Sequence, residues 1–273
     1  MSTNRQVTPK NAETFFASRS VFTLDEFANE AQLPPPKALD RLKYHLRRGR
    51  IVTLERGLYA VVPPGSSRER FQPDRYLVAA ATRPDAIFSH HAALELLGAA
   101  HSDWNVCTVF TKRRRRKLVL ATVELQFLAH PTALRKKRHE TLGTRQVERQ
   151  GTLLRITSPE RTLVDGFRQP SQVGGLSELV ESAAGFAVLD LDLLTRILDA
   201  YDQRSLWSAV GWFLERYKKT FFVPDDYLKR LEKKRPRSTH YIPRSERTGR
   251  FVRRWNLVLP ADLVQGSEPD ETE

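Results

Sequence analysis

One stretch of the chain carries cations at a spacing that would let them donate to nucleic-acid bases. Between Pro36 and Gly49, the residues Lys37, Arg41, Tyr44 and Arg48 recur every three or four positions, the period of one helix face, with Lys43 and Arg47 flanking them. Leu39, Leu42 and Leu46 fall on the opposite side. A helix with an apolar spine and a basic outer face suits the major groove. That groove admits one α-helix, and Arg or Lys can donate there to guanine O6 and N7 or to phosphates. Residues near the start of such a helix usually meet base edges, which singles out Lys37, Asp40 and Arg41. Tyr44 is suited to pack on a sugar or a thymine methyl. Arg47, Arg48 and Arg50 read as phosphate contacts, which position without specifying. Arg56, at a following hairpin tip, is placed to reach phosphate or the minor groove. The plainer reading is an amphipathic surface helix with a solvated basic face. The order of the surrounding elements favours the DNA reading.

Those elements read as three short helices and a hairpin after Asn11. Thr23-Leu24-Asp25-Glu26 is a capping box, in which Thr23 accepts from the backbone three residues on and Glu26 reaches back. Leu24, Phe27, Ala28 and Ala31 give the following helix its apolar face. Pro34-Pro35-Pro36 ends that helix and opens the basic one, because proline fits a first turn and not an interior. Gly49 marks its end. Ile51 to Leu54 and Leu58 to Val62, joined through Glu55-Arg56-Gly57, have the composition and turn length of a β-hairpin. This order predicts a winged helix-turn-helix over residues 1–65, with Pro63-Pro64-Gly65-Ser66-Ser67 as the boundary.

A mixed α+β domain is expected over 70–265, making the fold class α+β. Helices are predicted near Tyr76 to Ala81, from Ser89 to Gly98, and after Ser158-Pro159, where serine caps and proline occupies the first turn. Strands are expected at Ile87-Phe88, Trp104 to Phe110, Val119 to Leu128 and Leu153 to Thr157. Two later helices carry the stripes Leu191, Leu194, Leu198, Tyr201 and Trp207, Val210, Leu214, Tyr217. The acidic segment 266–273 reads as a frayed tail.

The chain has 273 residues, with 45 Lys and Arg against 32 acidic residues, for a net charge of +13. Such an excess suggests a polyanionic partner. No run of about eighteen apolar residues is present, so no membrane span is expected. The first ten residues lack the apolar core of a secretion signal. The single cysteine, Cys107, cannot form an internal disulfide, which suits a reducing, cytoplasmic setting. With the membrane route weakened, nucleic acid leads.

Other clusters have simpler readings beside the functional ones. The six cations at 112–117, including Arg113, Arg114, Arg115 and Arg116, lie between two predicted strands. They read either as a hairpin tip that grips phosphate or as a solvated loop. Arg135-Lys136-Lys137-Arg138 has the same two readings. A third basic stretch, from Lys229 to Arg254, is interleaved with Tyr241 and Phe251, which either stack on bases or anchor a core. Arg161 and Asp165 stand four apart on a predicted helix and can pair across one turn. His90 and His91 are adjacent and lack the spacing to share a metal, and no Cys/His cluster suggests zinc. No cofactor or metal is expected. A nuclease is the enzymatic alternative. Asp85 and, far downstream, Glu124-Leu125-Gln126 weakly resemble a PD-(D/E)xK arrangement, but Gln126 stands where a lysine would be needed. The reading is therefore of a non-enzymatic DNA-binding protein, with a nuclease or an RNA-binding module as the alternatives.

The segment FTLDEFANEA…ALDRLKYHLRRGRIVTLERGLYAV resembles the winged-helix domain of AbiEi-type antitoxins and related regulators. FSHHAALELLG, ITSPERTLVDGF, WSAVGWFLERY and RWNLVLP resemble successive landmarks of the AbiEi C-terminal region, so the resemblance covers most of the chain. It implies a bacterial transcriptional repressor that binds inverted repeats in its own promoter, cytoplasmic and nucleoid-associated when bound. It also implies a partner gene encoding a nucleotidyltransferase-like toxin. Antitoxin and toxin need not touch, and neutralisation depends on the C-terminal region. Inverted repeats suit a homodimer on DNA.

Overall fold

The computed structural model describes residues 12–113, 116–242 and 248–264. The acidic tail, Arg114, Arg115, Arg244 and Arg247 lie outside the described residues. Local sequence signals set the first elements. Helix α1 (Ala12–Ser18) buries Phe15. Strand β1 (Val21–Thr23) leads into α2 (Leu24–Glu30), where the capping box is formed. The Thr23 hydroxyl accepts from the Glu26 backbone at 3.2 Å, and the Thr23 backbone donates to the Glu26 carboxylate at 2.7 Å. A short turn, with Gln32 in the left-handed region, leads to α3 (Pro35–Arg47), which has proline in its first turn as expected. Strands β2 (Ile51–Glu55) and β3 (Leu58–Val61) form the predicted hairpin. Gly57 adopts the positive φ that its turn requires.

Strand β1, too short to show alternation, was not expected. It pairs with β3, giving an antiparallel sheet of order β1-β3-β2. The core beneath holds Phe15, Phe22, Phe27, Leu42, Ile51 and Tyr59. Phe15 meets Phe22 and Phe27 edge-on at 5.1 and 5.2 Å, a favoured aromatic geometry. Helix α3 corrects one expectation. Its buried residues are Ala38, Leu42 and His45, while Leu46 packs half-buried at the margin and Leu39 is only half-buried. The buried face is rotated from the leucine spine because a buried histidine, invisible to an apolar pattern, completes it.

The chain forms two compact units. Met1–Ala86, Arg116–Gln126 and Gln146–Leu154 make one; Ile87–Arg115, Phe127–Arg145 and Arg155–Glu273 make the other. In the first, Asp74 caps α4 (Arg75–Thr82) through two backbone N–H groups. It also accepts from Arg149 at 2.6 Å.

The six-stranded sheet has the order β6-β7-β5-β4-β9-β8. Its strands are β4 (Ile87–Phe88), β5 (Val106–Thr111), β6 (Leu118–Leu120), β7 (Val123–Ala129), β8 (Thr144–Arg149) and β9 (Thr152–Thr157). The single strand expected from Val119 to Leu128 is a hairpin, broken at Ala121, whose φ is +49°. Strand β8 was not expected, because its polar sequence TRQVER carries almost no apolar alternation.

Helix α5 (His90–Leu96) follows Ser89, and α6 (Thr132–Lys136) lies beyond β7. Helix α7 (Pro159–Arg168) has all but its first and last residues buried. Against it pack α8 (Leu176–Ala184), α9 (Leu191–Tyr201) and α10 (Arg204–Arg216), and α11 (Asp225–Lys234) packs on α10. Their apolar faces form the core of the second unit. A small sheet of β10 (His240–Tyr241), β11 (Arg250–Val252) and β12 (Leu257–Leu259) follows, with α12 (Ala261–Val264) after it. Among the described residues, no helix is long and apolar enough to cross a membrane.

Two glycines show how distant segments lock together. The Cβ of an alanine at Gly211 in α10 would stand 2.1 Å from the Trp255 ring, and one at Gly166 in α7 would stand 2.3 Å from Leu179. Trp255 is fully buried and donates from its indole to Glu215 at 2.6 Å. The sequences WSAVGWFLERY and RWNLVLP therefore meet side by side.

Candidate nucleic-acid interface

The fold turns the candidate cations outward. Lys37, Asp40, Arg41, Lys43, Tyr44, Arg47 and Arg48 are exposed on or just after α3, and Arg50 and Arg56 are exposed at the two ends of β2. The reason is geometric: packing Ala38, Leu42 and His45 against Phe16, Phe22 and Phe27 leaves the remaining stripe of α3 facing solvent. Their engagements differ. Asp40 pairs with Lys43 at 2.8 Å, and Arg50 with Glu13 at 2.9 Å. The Arg48 guanidinium lies 5.0 Å from the centre of the Tyr44 ring. Lys37, Arg41, Arg47 and Arg56 make no ion pair among the described residues. Exposed pairs of this kind contribute about 0–1 kcal/mol, so a phosphate or base edge competes readily for them.

His45 is the site residue that the apolar pattern missed. It meets Phe16 and Tyr44 edge-on, at 4.9 and 5.2 Å. Burial, and then the positive charges of Arg50 and Arg41, push its pKa down, so the ring is neutral near pH 7. Positions 38, 42 and 45 share one helix face, a signal visible once histidine is admitted as a core residue.

Of the two readings of the run at 112–117, hairpin tip and solvated loop, the sheet order does not give the tip, and the described residues Lys112, Arg113, Arg116 and Lys117 are exposed. The run leads from β5 to β6, which are not neighbours, since β7 stands between them in the sheet. Strand β6 is therefore not the hairpin partner of β5. The Arg113 carbonyl accepts from Thr111 at 2.8 Å. In the second cluster, all four of Arg135 to Arg138 are exposed, with Lys137 donating to the Asp199 carbonyl at 3.0 Å. In the third, Arg254 is committed to Glu215 and Glu232, and Lys234 to Asp199 at 2.6 Å. Lys233, Arg237, Arg250 and Arg253 are exposed.

The carboxylates of the nuclease alternative each have local partners. Asp85 accepts from Arg83 at 2.9 and 3.1 Å. Glu124 accepts from Lys117 at 2.7 Å and Gln126 at 2.8 Å; the Lys117 bond above all holds its pKa below the usual range. No group of three or more His, Cys, Asp and Glu among the described residues stands where it could hold a metal ion. Cys107 is fully buried within β5.

Arg161 and Asp165 are both fully buried. Arg161 Nη1 donates to the Glu140 and Leu142 carbonyls at 2.6 and 2.8 Å, and Nε to Asp165 at 3.4 Å. The Tyr201 hydroxyl donates to Asp165 at 2.5 Å. This network ties α7 to α9 and to the segment before β8, a structural role.

No protein-family model and no curated protein matches the sequence. Among solved structures, the crystal structure of the RV2827C protein from Mycobacterium tuberculosis is similar, with a TM-score of 0.60 and 18% identity over 94% of each chain. At that identity the likeness is one of fold, and it extends along nearly the whole chain.

Proposed function

We propose that residues 12–61 form a winged helix-turn-helix and that the protein is a sequence-specific DNA-binding repressor of its own promoter. In this reading α2 and α3 are the helix-turn-helix, α3 enters the major groove, and the β2–β3 hairpin is the wing. What supports it most is one observation: all nine residues that the sequence marks as DNA contacts are exposed on α3 and the adjoining hairpin, with four cations uncommitted. Lys37 and Arg41 near the start of α3 would read base edges. Asp40 would accept from cytosine N4 once Lys43 turns to phosphate. Arg47, Arg48, Arg50 and Arg56 would grip the backbone.

The resemblance to AbiEi antitoxins extends the proposal to a bacterial toxin–antitoxin operon. The protein would be a cytoplasmic antitoxin, nucleoid-associated when bound, acting as a homodimer on inverted repeats. Its toxin would be a nucleotidyltransferase-like protein that it opposes without needing contact. Arg41→Ala tests the reading helix. It should weaken binding to the operator by about 1–3 kcal/mol while sparing random duplex. An unchanged preference for operator over random DNA would remove Arg41 from base reading. Replacing Arg113 and Arg116 by glutamine should lower the salt slope without altering sequence preference, by about one unit for each phosphate no longer gripped.

A further inference from the structure

The C-terminal sheet carries an aromatic row that the reading helix does not use. Its strand order is β10-β12-β11. The register sets Tyr241 opposite Val258 from one side and Phe251 opposite Val258 from the other. Directly paired residues share a sheet face, so Tyr241, Val258 and Phe251 form one row. Their β12 neighbours Leu257 and Leu259 alternate to the other face and are fully buried in the core of this unit. The row therefore lies on the face turned away from that core, with Val258 at its centre buried at 8% exposure between the two aromatic positions. Phe251 is 53% exposed, Tyr241 is half-buried, and neither ring stacks on another or hydrogen-bonds through its side chain among the described residues. Strands two places apart stand about 10 Å from each other, so the rings form two separate platforms.

A groove of about 660 Å³, lined by Lys229, Lys233, Arg235 and Arg237 with Glu232, lies near the start of β10 and β12, and the row's own residues do not line it. Arg235 is fixed there by Glu232 at 2.6 Å and by the Arg254 carbonyl, and the Asn256 amide holds the Pro236 carbonyl at 3.0 Å. These bonds shape the wall and leave Lys233 and Arg237 exposed and without an ion pair among the described residues. Asn256 directly precedes β12, and Arg237 lies three residues before β10, so the groove opens at the end of the sheet where both strands begin. Arg250 and Arg253 flank Phe251.

We propose that this face binds single-stranded nucleic acid. Bases stack on Tyr241 and Phe251, and the phosphates pass along Lys233 and Arg237. A cationic groove alone would serve a duplex equally well, but the aromatic row would not. A duplex offers only base edges, whereas an unpaired strand offers the base faces that stack on aromatic rings. One exposed phenylalanine is ordinary on a protein surface. Two aromatics in register on the sheet face turned away from the core, near unpaired cations, are what a stacking platform requires. The site is independent of α3 and stands or falls separately from the duplex reading.

The test is fluorescence anisotropy of the full-length protein with labelled 12-nucleotide oligo(U) and oligo(dT), and with a labelled random duplex alongside. The double variant Tyr241→Ala/Phe251→Ala should bind the oligonucleotides about tenfold or more weakly and the duplex unchanged. Phe251→Trp should keep the single-strand affinity, and Arg41→Ala should leave it untouched. An unchanged melting temperature in the double variant establishes that the fold is intact. Preference for oligo(U) would assign the strand to RNA, and equal affinity to either nucleic acid. Failure of the wild-type protein to bind either oligonucleotide overturns the proposal. So does undiminished binding by the double variant, or a parallel loss of duplex binding.

Discussion

Arg161 and Asp165 show how burial changes the meaning of a residue pair. On an exposed helix such a pair is worth a few tenths of a kcal/mol. Here both are fully buried, and Tyr201 and two backbone carbonyls complete the network. Removing one charge strands the other without water, so Asp165→Asn should destabilise the protein by about 3–5 kcal/mol. Urea unfolding checks this, and a loss under about 1 kcal/mol would mean that the pair is solvated. His90, like His45, makes stability depend on pH. Burial, set against the nearby Asp165 charge and reinforced by Arg168 and Arg161, lowers its pKa from 6.5 to about 4. The unfolded chain therefore binds the extra proton first. Stability is full above pH 6.5 and falls as pH drops toward 4, by on the order of 3 kcal/mol from this group. Replacing His90 by asparagine should flatten the profile between about pH 7 and 4.5; an equally steep profile would place the titration elsewhere.

At the scale of elements, the legible parts were those with a local physical signature. The Thr23–Glu26 capping box, the prolines opening α3, Gly57 in the hairpin turn and the Ser158-Pro159 start of α7 are each fixed by chemistry within four residues. Strands β1 and β8 were not legible. The first is three residues long, and the second is polar nearly throughout, so both are defined by their partners. The burial of His45 was hidden for a similar reason: its neighbours, not its polarity, decide where it sits. Gly211 belongs here too. Its lack of a side chain lets Trp255 close onto α10. Gly211→Ala should cost about 1–3 kcal/mol through overpacking. A melting temperature equal to that of the parent would show that the ring can move aside.

For the whole molecule, the net charge of +13 suggested a polyanionic partner but not where it binds. Periodicity located α3 and its outer face from sequence alone. The Tyr241–Phe251 row was not legible in that way, because the two residues meet only through the register of β12 between them. That β5 and β6 are not neighbours depended likewise on sheet order. The central claim is that α3 reads a specific duplex. The most direct measurement is a gel-shift titration of the protein on its own upstream DNA, with random duplex as competitor at several salt concentrations. The account predicts a discrete complex that survives excess random duplex, with a log–log salt slope set by the phosphates gripped. Equal, steeply salt-dependent binding to upstream and random DNA would contradict it, showing that charge alone holds the nucleic acid.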